Sequence, residues 1–86
     1  MNCRLFAFDA VGITSSQDVD KFSYSSQFPI EVGDILKWWG GNHYAVSIGE
    51  GEVLDVPEWG GSPRRERLTV LIQEMDQPIE VWRKRI

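Results

Sequence analysis

The strongest constraint on the fold is a set of apolar runs with a period of two, broken by glycine, between Gly33 and Val56. The segments GDILKWW, HYAVSI and EVLDV follow one another there, separated by GGN and GEG. Successive side chains of a strand point to opposite faces, and short glycine-containing loops connect antiparallel strands. The pattern therefore predicts antiparallel strands joined by tight turns.

The residues before these runs favour helix. Asn2 is a good N-cap, the residues up to Val11 include several large apolar side chains, and Gly12 suits the position after a helix. We expect a helix from Asn2 to Val11, with Cys3 in its first turn. A short second helix, capped by Ser15 or Ser16, is expected to contain Val19 and Phe22.

Two later segments, RLTVLIQ and IEVWRKR, are predicted as further strands because they are rich in β-branched and apolar residues. Together the elements predict one α+β domain over residues 1–86. One or two N-terminal helices would pack on one side of a roughly five-stranded antiparallel sheet.

Composition limits the function classes. The net charge of −4 over 86 residues argues against a nucleic-acid partner, which usually requires a basic surface. No apolar run approaches membrane-spanning length and no signal peptide is recognised, so a cytoplasmic protein is the default expectation. One cysteine, one histidine and no dense carboxylate cluster do not form a metal site, and no cofactor is indicated.

The most informative side chains are His43 and Asp55, which lie on either side of the predicted GEG turn. If paired residues have numbers that sum to 98, the two stand directly opposite each other, with Cβ atoms about 4.5–5.5 Å apart. That register requires a three-residue loop or a bulge at Gly49–Gly51. A carboxylate bonded to one ring nitrogen would orient the imidazole and leave the other nitrogen free as a general base.

Cys3 is the candidate nucleophile. A helix N-terminus and a nearby imidazolium both favour the thiolate, and backbone N–H groups at the helix start can hold an oxyanion. The alternatives are structural: a lone cysteine is usually a small buried apolar residue, and a lone strand histidine is usually a satisfied core or edge residue. Asp55 needs no functional explanation if it faces solvent, whereas an unpaired buried carboxylate would be costly.

Aromatic residues surround this region. Trp38 and Trp39 are adjacent in a predicted strand, so at most one of them can fill the core. Trp59 follows Asp55 in a glycine-rich loop and is a candidate for lining a cleft beside the site.

The segments NCRLFAFDAVGI and EVGDILKWWGGNHYAVSIGEGEVLDVP resemble the NlpC-type cell-wall cysteine peptidases, a papain-like family related to CHAP amidases. The resemblance covers most of the chain, including the basic last segment VWRKRI, and implies a minimal, N-terminally shortened member. It implies a papain-like core and assigns Cys3, His43 and Asp55 as a catalytic triad.

The expected function is therefore that of a small cysteine hydrolase acting on an amide bond in a peptide or cell-wall peptide. The alternatives are a catalytically degenerate module that binds a peptide or glycan, and an accessory protein of phage or mobile-element origin that acts through a protein partner. An oligomer is possible, but the sequence does not indicate one.

Overall fold

The computed structural model describes residues 2–39, 43–57 and 61–85, and all structural statements refer to these residues. The elements in chain order are α1 (Cys3–Val11), a 3-10 turn (Ser16–Asp18), β1 (Val19–Ser23), β2 (Ile35–Lys37), β3 (Tyr44–Gly49), β4 (Glu52–Asp55), β5 (Arg64–Arg67), α2 (Leu68–Met75) and β6 (Glu80–Lys84).

The strands form one six-stranded sheet in the order β1-β6-β2-β3-β4-β5, and every pair of neighbours is antiparallel. The last strand along the chain, β6, lies between β1 and β2. The predicted α+β class is confirmed, with six strands instead of about five.

Helix α1 begins and ends as its sequence predicts. The Asn2 side chain accepts a hydrogen bond from the backbone N–H of Leu5, and Gly12 ends the helix in the left-handed conformation with φ of 77°. Glycine adopts this conformation without the steric cost that a Cβ atom imposes. The buried face of the helix carries Ala7 and Phe8.

The sheet has a hydrophobic cluster on each face. The α1-side cluster contains the residues Ala7, Phe8, Ile13, Val19, Ile35, Tyr44, Val46 and Trp82. The α2-side cluster contains the residues Leu36, Trp38, Ala45, Val53, Leu71 and Val81. Neighbouring residues of one strand fall in different clusters, as the alternation of side chains requires. The prediction that the helices lie on one side is wrong, because α1 and α2 cover opposite faces.

Two predicted elements have a different structure. Ser15 does cap a helical turn, but that turn ends at Asp18, and Val19 and Phe22 belong to β1, which pairs with β6. The segment predicted as the strand RLTVLIQ is mainly helix α2. Leu71 of this helix is fully buried, and Leu68 and Met75 pack against the same cluster.

The β3–β4 hairpin closes with Glu50 and Gly51, which have φ values of 57° and 75°. Positive φ at both central residues is typical of the type I′ turn that suits the twist of a hairpin. The register shifts between Ser47 and Gly49, so the hairpin contains a bulge, but this bulge precedes the predicted position at Gly49–Gly51 and does not produce the predicted register.

The prediction for the adjacent tryptophans is confirmed: Trp38 is 2% exposed and Trp39 is 75% exposed. The predicted turn at residues 40–42 and the position of Trp59 lie outside the described residues. No helix in the described part of the chain is long and apolar enough to span a membrane.

Candidate functional site

The structure brings His43 and Asp55 together. Nε2 of His43 lies 2.8 Å from Oδ2 of Asp55, and the two side chains are 3% and 0% exposed. The predicted register is wrong by two residues, because Asp55 pairs with Ala45 and not with His43. An even shift keeps both side chains on the same face, so the contact survives as a diagonal neighbour pair.

Asp55 has a second partner that the sequence patterns did not predict. Nε of Arg64 donates to Oδ1 of Asp55 at 3.0 Å, and Nη2 of Arg64 also lies 3.8 Å from a carboxylate oxygen of Glu74. Arg64 stands directly opposite Asp55 in the β4–β5 ladder. The sequence did contain a signal for this pair: the basic group RRER shortly follows an aspartate that is flanked by apolar residues. A carboxylate buried among such residues needs a cation as a partner.

The electrostatics of Asp55 reflect these partners. Burial by itself would raise the pKa of Asp55, but hydrogen bonds from His43 and Arg64 outweigh it and hold the pKa below its ordinary value. Asp55 therefore stays ionised at neutral pH. The same hydrogen bond and charge raise the pKa of Arg64.

The contact with Asp55 also fixes which nitrogen of the neutral His43 ring carries the hydrogen. An ionised carboxylate can only accept, so Nε2 donates and Nδ1 holds the lone pair. Nδ1 is buried and has no hydrogen-bond partner among the residues that the structure describes. An unsatisfied buried polar atom costs about 1–3 kcal/mol, which sets His43 apart from an ordinary buried histidine. An imidazole held in this way can accept a proton at Nδ1.

Cys3 is not hydrogen-bonded to this nitrogen, since Nδ1 has no such partner. Cys3 is the first residue of α1, is partly buried, and packs against the α1-side cluster. The His43 ring instead contacts Trp38 of the α2-side cluster, with ring centroids 5.6 Å apart. The structure thus joins two of the three predicted site residues and places the third against the other face of the sheet.

The contacts of α1 indicate that its N-terminus is directed toward the end of the sheet at which β3 begins. The last turn of α1 lies beside the middle of β3, where Val11 and Val46 line one groove. Phe8, one turn earlier, contacts the ring of Tyr44 at the start of β3. Cys3 lies about 7–8 Å further along the helix axis in the same direction, at a rise of about 1.5 Å per residue. His43 immediately precedes Tyr44.

The first backbone N–H groups of α1 bear on oxyanion binding. The Asn2 side chain occupies the N–H of Leu5, and the N–H of Phe6 donates to the Asn2 carbonyl. The N–H groups of Cys3 and Arg4 precede these two in the first turn of the helix.

A metal centre finds no support in the part of the chain that the structure describes, where no three His, Cys, Asp or Glu side chains converge. Comparisons with known protein families, with curated proteins and with solved structures found no match.

Proposed function

We propose that the protein is a small cysteine hydrolase with a papain-like core that cleaves an amide bond in a peptide or cell-wall peptide. The observation that carries the proposal is the His43 imidazole, held by Asp55 through Nε2 while Nδ1 has no hydrogen-bond partner within residues 2–39, 43–57 and 61–85. Asp55 would be the positioning residue of a triad in which Cys3 is the nucleophile.

Each proton transfer of the proposed reaction has a named donor and acceptor. Nδ1 of His43 accepts the thiol hydrogen of Cys3, and the thiolate attacks the amide carbonyl carbon. The resulting oxyanion is held by backbone N–H groups at the start of α1. Nδ1–H then protonates the departing amine, and a thioester to Cys3 remains. Water, deprotonated by the same nitrogen, hydrolyses the thioester and restores the thiol.

This reaction requires the Cys3 sulfur to come within hydrogen-bond reach of Nδ1. The N-terminus of α1 would have to move past the end of the sheet at which β3 begins, because Cys3 packs against the α1-side cluster and the His43 ring contacts Trp38 of the α2-side cluster. Contacts of this kind are often looser without substrate than in the reacting complex.

Alkylation of Cys3 by iodoacetamide near pH 6, followed by intact-mass spectrometry, tests the proposal. We expect the protein to react faster than a small-molecule thiol and the excess to disappear in His43→Ala. Glu52→Gln, which changes another acid of β4 that is paired with exposed Arg65, is the matched control and should react like the wild type. An ordinary thiol rate that His43→Ala leaves unchanged would overturn the proposal.

A second candidate is a binding module that keeps the fold without the activity. The observation in its favour is that Asp55 already binds Arg64 as well as His43, while Cys3 packs against the α1-side cluster. Such a module would bind a peptide or glycan without turnover, and Cys3→Ala would leave its affinity unchanged. Turnover that Cys3→Ala abolishes would exclude this second candidate.

A further inference from the structure

A groove of about 520 Å³ lies along β3 from its middle to its C-terminal part, at Val46 to Ile48. It runs between the last turn of α1 and the strands β3 and β4, and its apolar surface comes from Val11, Val32, Val46, Ile48 and Leu54. Val32, at 74% exposed, is a large apolar side chain open to solvent at this groove. Ligand pockets commonly have volumes of about 300–1,000 Å³ and mostly apolar walls.

The polar groups of the groove are already engaged with one another. Asp34 accepts two hydrogen bonds from Arg83, at 2.9 and 2.8 Å, and Arg83 also lies 3.4 Å from Glu31. The backbone N–H of Gly33 donates to the Ser47 carbonyl, and that of Ser47 donates to the Asp34 carbonyl. A peptide backbone bound here would find few partners for its own N–H and C=O groups, which disfavours a peptide as the ligand.

Lys84 is the exception among these groups. It is exposed at the rim of the groove, and no carboxylate of the described residues lies within 4.0 Å of its ammonium group. Its ammonium group lies against Gly12, at the C-terminal end of α1. Because Arg83 is held by two acids, an incoming anion would meet Lys84 first.

We propose that this groove binds an aliphatic monocarboxylate, with the hydrocarbon chain against the apolar walls and the carboxylate on Lys84. An unbranched chain needs no hydrogen-bond partners, which matches walls whose polar groups are satisfied. The carboxylate supplies the negative counter-charge that the Lys84 ammonium group lacks among the described residues. This site is separate from the His43–Asp55 pair, because Val46 of the groove belongs to the α1-side cluster, whereas Asp55 is paired with Ala45 of the α2-side cluster on the opposite face of the sheet.

Binding of three eight-carbon probes, followed by NMR titration of the backbone amides, tests this proposal. Octanoate should bind and shift the signals of Val46 and Ile48 at the groove. Octan-1-ol should bind roughly tenfold more weakly, since it lacks the ionic hydrogen bond, and octan-1-amine more weakly still. Equal affinities for the three probes would overturn the proposal.

Matched variants test where the carboxylate and the hydrocarbon chain of octanoate bind. Lys84→Gln should reduce octanoate affinity to that of octan-1-ol, whereas Lys21→Gln, the same change on β1, should have no effect. Val32→Asp should abolish binding without affecting folding, because Val32 is exposed. Unchanged octanoate affinity in Lys84→Gln contradicts the assignment.

The groove could also be covered by a second copy of the chain, which sedimentation at several protein concentrations would detect. A concentration-dependent dimer that Val32→Asp abolishes would contradict the proposal.

Octanoate should bind equally to Cys3→Ala and to the wild type, so a failed hydrolase test would leave this inference standing.

Discussion

Asp55 is the residue on which the candidate site depends most, because its carboxylate is 0% exposed and contacts both His43 and Arg64. Removing one partner of a buried ion pair leaves the others uncompensated. We expect Asp55→Asn to lower the free energy of unfolding by about 3–5 kcal/mol, measured by urea denaturation.

A matched control for this substitution lies on the same strand. Glu52 pairs with Arg65, whose side chain is 66% exposed, and exposed pairs contribute about 0.2–1 kcal/mol. Glu52→Gln should therefore have an effect of at most about 1 kcal/mol. Equal effects of the two substitutions would contradict the burial and pairing assigned to Asp55.

The stabilisation from Asp55 should depend on pH in a defined direction. The folded-state pKa of Asp55 lies below the ordinary 3.8, so its contribution is fully present above that pH. It is lost as the pH falls through the lowered folded-state pKa. The stability difference between the wild type and Asp55→Asn should shrink as the pH falls below 3.8. A difference that instead grows below pH 3.8 would mean that the pKa of Asp55 is raised.

At the scale of elements, the β3–β4 turn carries one locally unfavourable residue. Glu50 has a φ of 57°, a conformation that favours glycine and asparagine over other residues. Asn-Gly is a preferred sequence for a type I′ turn, so Glu50→Asn should raise the free energy of unfolding by up to about 1 kcal/mol. Thermal and urea denaturation measure this gain. A loss of stability would show that the turn is of another type.

The two helices show where local sequence was sufficient to predict secondary structure and where it was not. Helix α1 was predictable because Asn2 and Gly12 are local signals for its ends. Helix α2 was mistaken for a strand because Thr69, Val70 and Ile72 favour strands when considered one by one. The helical spacing of Leu68, Leu71 and Met75 was the better signal, since these residues meet one cluster.

The strands at the two edges of the sheet were harder to predict. β1 and β5 carry five and four residues, are largely polar or charged, and depend on partners that local sequence does not identify. β1 pairs with the last strand of the chain, whereas β5 pairs with β4 across residues 56–63. The order of strands in the sheet decides which strands they form hydrogen bonds with.

At the scale of the whole molecule, the sheet order decides which charges are buried together. His43 and Asp55 belong to one hairpin, so their contact was predictable from the turn between them. Arg83 reaches Asp34 only because β6 inserts beside β2, and no local pattern indicates that pairing. For the same reason the sequence did not show that α1 and α2 cover opposite faces, which determines how Cys3 is placed relative to His43.

The measurement that tests the central claim most directly is the ¹⁵N NMR spectrum of the His43 ring in the wild type and in Cys3→Ala. His43 is the single histidine, so its ring signals need no assignment among others. We predict that the neutral ring carries its hydrogen on Nε2, that Nδ1 is unprotonated, and that removing the thiol shifts the Nδ1 signal. A ring protonated on Nδ1, or an Nδ1 signal indifferent to Cys3→Ala, would contradict the role of His43 as the base that serves Cys3.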